Sequence, residues 1–256
     1  MKQLTCILIA LAIVGIYGEE PEKLVNGTPT NIEEYPHCVS IRIDNNHFCG
    51  GSIISPRHIL TAAHCVVPLD SKKSLRESLT VVSGTTRLSS GGNVHKVSRM
   101  WYHNRYNTRA QGRPAGFDIG VLELAEPIEF NTKQKPIKLP KTDLEKNDDV
   151  TTVAWGSTGF KENVHDDLQK LEAQVMLAKD CQIYHTFMRI HLQEFCTFIK
   201  VGTGACNGDS GSGVIRNSDN TLVGLISGGM PCARGYPDVF TIIYPYISWI
   251  EEIMSE

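Results

Sequence analysis

Beyond its first 18 residues the sequence has no apolar run near the ~20 residues that a membrane-spanning helix needs, so no helical anchor is expected in the remainder. It also lacks a charge excess. Its 25 Lys and Arg stand against 28 Asp and Glu, a formal net charge of −3. A nucleic acid or an acidic membrane surface calls for a strong basic excess, and neither partner is expected. No CxxC pair and no HxxxH pair occurs, so the usual metal-ligand spacings are missing and no metal or other cofactor is expected. Repeats, low-complexity tracts and linker-like breaks are absent too, which leaves residues 24–256 as one unit.

What is present begins with a distinct N-terminus. Lys2 gives a positive start, Ile7 to Tyr17 is almost unbroken apolar sequence, and Gly18 is a small residue before Glu19-Glu20. That layout predicts a secretory signal peptide over 1–18, and with it a secreted, extracellular protein. A short acidic stub, 19–23, follows. Of the 8 cysteines, Cys6 leaves with the signal; Cys38, Cys49, Cys65, Cys181, Cys196, Cys206 and Cys232 remain. Secretion makes disulfides the default for these, and an odd count leaves at least one thiol over.

Local patterns favour strands. Cys38 to Ile43 alternates apolar with polar, and short apolar runs recur at 52–54, 59–62, 80–82, 118–124, 150–154, 171–177, 221–226 and 239–243. Turn-forming clusters such as Asp44-Asn45-Asn46 and Asn217 to Asn220 punctuate them. Only the C-terminus reads as helical, with Ile247, Ile250, Ile253 and Met254 sharing one face. Many short strands and one terminal helix predict an all-β antiparallel barrel fold.

Three segments carry chemistry. Thr61-Ala-Ala-His64-Cys65 places a histidine after an apolar strand, and Phe117-Asp118-Ile places one acid at a strand head. Gly204-Ala-Cys-Asn-Gly208-Asp209-Ser210-Gly211 places a serine in a glycine-rich turn. Singly, each has a bland reading: a structural histidine, a solvated turn acid, a flexible loop. Together, in the order His, Asp, Ser, they form the set that makes a serine hydroxyl nucleophilic through an adjacent base.

With these segments, and with Leu24-Val-Asn-Gly27, Cys49-Gly-Gly-Ser52, Ala154-Trp155-Gly156, Ser227-Gly-Gly229 and the Trp249 helix, the chain resembles the trypsin/chymotrypsin family from Leu24 to the C-terminus. The resemblance implies two six-stranded antiparallel β-barrels packed together, with a C-terminal α-helix. It implies Ser210 as nucleophile, His64 as base and Asp118 as its orienting acid. Gly208 and Ser210 would supply the oxyanion-hole amides, and Ser227 would bond the Asp118 carboxylate. Cleavage after Lys23 would free the Leu24 ammonium to pair with Asp209. Disulfides Cys49–Cys65, Cys181–Cys196 and Cys206–Cys232 carry over, and Cys38 is left as a half-buried free thiol. Protein or peptide substrates, protein protease inhibitors and a monomeric state follow from the same likeness.

The chain also departs from the family. Asn26 replaces a glycine and opens the sequon Asn26-Gly27-Thr28, expected to be unused so near the inserting terminus. Gly211-Ser212-Gly213 replaces Gly-Gly-Pro. Segments 66–80 and 103–117 read as lengthened solvent loops, the second carrying Arg105, Arg109 and Arg113. The acidic calcium-loop residues are missing around 85–93. Gly204 stands where trypsin-like relatives carry aspartate, which implies an apolar primary pocket walled by Ala205, Ser227, Gly228 and Gly229. Asp238 stands on its far wall, where it either accepts Lys or Arg side chains or turns away to bond backbone amides. The Gly204 and Asp238 combination resembles chymotrypsin-like enzymes of insects and other arthropods. The rival reading is a catalytically weak or silent relative that acts as a binding or venom/salivary surface protein; such relatives usually lose a triad member, and this chain keeps all three. A lipase-type hydrolase would need GxSxG, which Gly208-Asp-Ser210-Gly211 does not supply.

Overall fold

The computed structural model describes residues 23–109, 116–159, 162–230 and 232–256. The expected signal peptide and most of the stub after it lie outside these residues, as does Arg113.

Six strands close a first barrel in the order β2-β3-β4-β7-β6-β5. They are β2 (Cys38–Ile43), β3 (Asn46–Ile53), β4 (His58–Thr61), β5 (Leu79–Ser83), β6 (Asn93–Tyr102) and β7 (Gly120–Leu124). The second half is an eight-stranded curled sheet, β1-β9-β8-β12-β13-β14-β11-β10. Its strands are β1 (Thr28–Pro29), β8 (Asp149–Ala154), β9 (Gln169–Gln174), β10 (Met176–Leu177), β11 (Glu194–Thr197), β12 (Gly213–Arg216), β13 (Thr221–Gly228) and β14 (Asp238–Ile242). The two-residue strands β1 and β10 only trim its edges. All strand pairings are antiparallel. The protein is therefore all-β in two barrel-like halves, and the C-terminal helix Ile247–Ser255 closes the chain.

Alternation explains why these residues make these walls. In the first barrel Val39, Ile41, Ile53, Ile59, Val81, Leu122 and Leu124 point inward and form one cluster. A second cluster, with Leu60, Ile119, Val121, Leu222, Leu225, Ile243 and Ile250, draws on both halves and on the terminal helix. Fully burying each such side chain contributes about 1.5–3 kcal/mol, so the halves are welded where the functional residues emerge.

Segment 66–80, read from sequence as a loop, is largely helical. Helices span Ala63–Ser71 and Lys73–Glu77, and Ala63, Cys65, Val66 and Leu69 of the first are buried against the barrel. Tertiary burial of that stripe outweighs the helix-breaking Pro68. At the described ends of segment 103–117 the chain is not a free solvent loop, because the Arg105 guanidinium lies 4.1 Å from the centre of the Phe117 ring. Among the described residues no helix is long and apolar enough to cross a membrane.

Candidate active site

His64 sits in the first turn of helix Ala63–Ser71, a position whose backbone N–H has no intrahelical partner. Asp118, fully buried just before β7, accepts that N–H at 2.9 Å on Oδ1 and accepts His64 Nδ1 at 2.8 Å on Oδ2. One carboxylate thus caps the helix, where its charge suits the dipole, and fixes the ring. Ser227 Oγ donates a further bond of 2.6 Å to Oδ2. Because a carboxylate only accepts, the Nδ1 proton points at Asp118 and Nε2 is left as the basic nitrogen. Burial alone would lower the His64 pKa, but the charge and hydrogen bond of Asp118 outweigh it and the net shift is upward.

Ser210 lies in the turn before β12. Gly208 and Gly211 take φ of 91° and 76°, which only glycine adopts freely. The turn is pinned by Asp209 N donating to Cys206 O at 3.2 Å and Ser212 N donating to Asp209 O at 3.0 Å. Across the interface, Gly50 N donates to Ser210 O at 2.8 Å, and a Cβ on Gly211 would collide with Thr61. The serine turn therefore seats against the strand end that delivers His64. The disulfide Cys49–Cys65 ties that same corner; closing so short a loop contributes about 3 kcal/mol.

Sequence reasoning missed His47. Its Nε2 donates to Gly208 O at 2.9 Å, and its Nδ1 pairs with Ser40 Oγ at 2.9 Å. Burial pushes its pKa down to about 4, so the ring is neutral at pH 7 and holds the Gly208 carbonyl, and with it the Gly208–Asp209 peptide, in one orientation. A lone histidine on a strand carries no pattern that would have marked it.

Asp209 is fully buried, with Oδ1 accepting Gly156 N and Oδ2 accepting Cys206 N, both at 2.7 Å. Desolvation, only partly offset by these bonds, pushes its carboxyl up to about 7. Leu24 is also buried, and Gly204 N donates to Val25 O at 3.0 Å. Asn26 Nδ2, the atom a glycan would occupy, donates to Thr203 Oγ1 at 2.9 Å.

Asp238, at the head of β14, shows why Gly204 is glycine: a Cβ there would overlap the Asp238 carboxylate. Its Oδ2 accepts Ala205 N at 2.7 Å. Burial raises its pKa, opposed by that bond and assisted by the charge of Asp209, to about 7. Gly228 pairs with Val239 in the sheet, Cys232 N donates to Ala205 O at 3.0 Å, and Cys206–Cys232 bridges the walls. Cys181–Cys196 braces the adjoining loop. Cys38, the free cysteine among the described residues, is buried rather than half-buried, 3.7 Å from His37 Nε2, and burial pushes its thiol up. Two Cys/His groups have ligand-like proximity, Cys49/His64/Cys65 and Cys181/His185/Cys196. In each, both cysteines are spent in a disulfide and cannot act as thiolates.

A closed β-barrel beside a second curled sheet, with a buried acid bonded to an imidazole and a glycine-rich serine turn seated on the strand before it, fits a serine hydrolase of the chymotrypsin-like class. The trypsin family description matches residues 24–250, and the chain belongs to that family of serine endopeptidases. It is 33% identical to chymotrypsin-2 of Vespa crabro, over 90% of this chain and 99% of that one. It is 31% identical to trypsin 5G1 of Aedes aegypti, over 90% and 85%. With trypsin of the bacterium Saccharopolyspora erythraea it shares 32%, over 90% and 97%.

Proposed function

We propose that the protein is a secreted endopeptidase, made with a signal peptide over 1–18 and activated by cleavage after Lys23. In this reading residues 24–256 hydrolyse peptide bonds through an acyl-enzyme. Ser210 attacks the scissile carbonyl while His64 Nε2 takes its proton and later passes it to the leaving amine. Asp118 stabilises the imidazolium that forms between those steps. The amides of Gly208 and Ser210 take the developing oxyanion, where one lost donor costs roughly 10²–10³ in kcat. The observation that carries the proposal is the Asp118 carboxylate, buried and satisfied by His64 and Ser227, which commits the imidazole to the tautomer a general base needs.

Activation is supported from two sides. Asp209 is a buried carboxylate with amide partners only among those described above, and an ammonium beside it would supply the missing countercharge. Leu24 in the uncut chain is held at φ 46° and ψ 125°, which is costly for a bulky residue and is released once the preceding peptide is cut.

Specificity follows from the pocket. The walls at Ala205, Ser227, Gly228 and Gly229 offer surface to a large apolar P1 side chain, whose burial is worth about 25 cal/mol per Å², while the Asp238 carboxylate takes the space beside Gly204. Asp238 adds a carboxyl that pairs with Lys or Arg and repels Asp and Glu. The chymotrypsin and trypsin names of the relatives fit this mixed preference. The test is to cleave the full chain after Lys23 and compare matched Phe, Leu, Arg and Glu peptide substrates. Turnover of Phe and Leu first, Arg second and Glu not at all is expected; no turnover of any would return the protein to the silent-relative reading.

A further inference from the structure

The residue pair before Asp118 is unusual in its backbone. Gly116 and Phe117 are both left-handed, at φ 67° and 58°, and this double turn sets the direction in which the acid leaves the loop. Phenylalanine rarely holds such a conformation unless its surroundings impose it. The surroundings here come from the other half of the molecule.

Glu194, fully buried at the head of β11, accepts Gly116 N on Oε1 at 2.9 Å and His191 N on Oε2 at 2.6 Å. Beside it, Tyr246 Oη accepts Phe117 N at 3.2 Å and donates to Gln193 Oε1 at 2.9 Å. Glu194 stands opposite Thr241 in the β11–β14 register, and Thr241 Oγ1 donates to Asp118 O at 3.0 Å. Gly116 N, Phe117 N and Asp118 O are thus gripped in sequence by one frame. The fit is close: a Cβ on Gly116 would come within 2.8 Å of the His191 ring. The Phe117 ring is held between neighbours, 5.1 Å from the rings of both His103 and His191.

Burying a carboxyl group is expensive, so its presence needs a reason that an apolar residue would not meet. One such reason is acceptor count. Two backbone N–H groups from two different loops converge on two separate oxygens, and no side chain other than a carboxylate offers both as acceptors. Glutamine would turn an NH2 toward one of the donors.

We propose that Glu194 is a positioning residue for the triad: by fixing the Gly116–Phe117 turn it sets Asp118, and through Asp118 the plane of His64. This rests on the endopeptidase reading for its kinetic consequence, but the geometric consequence is independent of it. The Nδ1 proton of His64, hydrogen-bonded to Asp118, should give a low-field NMR resonance in cut and uncut chain alike, and its position would report the Asp118–His64 geometry directly.

The experiment compares the cleaved wild type with Glu194→Ala, Glu194→Gln and Tyr246→Phe. Misplacement of a catalytic group by about 1 Å can cost roughly 10²-fold. Glu194→Ala is expected to lower kcat about 10–100-fold, with KM within about twofold because the pocket lies elsewhere, and to shift or broaden the His64 resonance. Glu194→Gln keeps one acceptor and should fall between alanine and wild type, and Tyr246→Phe should show the same signature more weakly. A folded Glu194→Gln or Glu194→Ala protein with wild-type kcat and an unmoved resonance overturns the proposal. So does a Glu194→Gln protein that fails to fold, since an isosteric change would then have exposed a purely structural role. If the cleaved wild type itself has no turnover, the endopeptidase reading fails, and the resonance in the same variants still decides the role of Glu194.

Discussion

Asp118 and Asp238 are both buried aspartates near the seam of the molecule, yet their surroundings treat the carboxylate in opposite ways. The oxygens of Asp118 meet His64 N, His64 Nδ1 and Ser227 Oγ. Asp238 has the Ala205 amide and the nearby like charge of Asp209, and its carboxyl is pushed up to about 7. A buried carboxyl left with few donors is poised to release its proton when a cation arrives. In the proposed reading the same residue type would serve orientation in one place and selection in the other, with the partners making the difference.

The sharpest way to break this comparison is to remove the charge from the donor-rich site. Asp118→Asn is expected to lower kcat roughly 10⁴-fold, the size of that change in a Ser-His-Asp triad, while leaving the fold intact. A loss below tenfold in steady-state kinetics would mean that Asp118 does not set the tautomer.

The poorly compensated site should show its character in pH dependence. Below about 7 Asp238 is mostly neutral and suits an apolar guest; above it the carboxylate favours a cation. The ratio of kcat/KM for an Arg substrate to that for a matched Phe substrate should therefore rise with pH, by up to about tenfold per unit below pH 7, and level off above. The titration of His64 cancels in this ratio. Asp238→Gly should flatten the profile and reduce Arg turnover about tenfold or more. An unchanged Arg rate would make Asp238 a purely structural partner of Ala205.

A smaller effect concerns stability. Asp209 and Asp238 both have folded-state values raised from 3.8 to about 7, so the folded chain holds their protons more tightly than the unfolded one. Their contribution is fully present below about pH 4 and is lost as pH rises through about 7. An uncut Lys23→Gln protein should lose several degrees of Tm between pH 5 and 8, and the cleaved enzyme fewer, because the Leu24 ammonium then offsets Asp209. Parallel melting curves for the two forms would contradict this.

How much of this was legible in the sequence differs by residue. His64, Asp118 and Ser210 stand in short patterns whose glycine and alanine neighbours are as telling as the reactive groups. Strands such as β2 and β14 announce themselves by apolar spacing. Strand β6 did not, because Asn93, His95, Lys96, Ser98 and Arg99 interrupt its apolar residues on a largely exposed wall. The helix after His64 was hidden by Pro68 and by its dependence on barrel contacts. Glu194, His47 and Tyr246 each reach a backbone group far away in sequence, Gly116, Gly208 and Phe117 respectively, so nothing local distinguishes them from ordinary strand or helix residues. The two readings of Asp238 could not be separated in sequence either. The bond to Ala205 and the filling of the space beside Gly204 by the Asp238 carboxylate are facts of packing.

The central claim is that Ser210 becomes a nucleophile held against His64 and Asp118 once the chain is cut after Lys23. An aryl phosphonate ester, which reacts with activated serine, tests it most directly, with the adduct located by peptide mass spectrometry. The account predicts one adduct, on Ser210, in the cleaved enzyme. It predicts at least about 10²-fold slower labelling of uncut Lys23→Gln protein, and none at that position in Ser210→Ala. Labelling of another residue, or equal rates for cut and uncut chains, would contradict it.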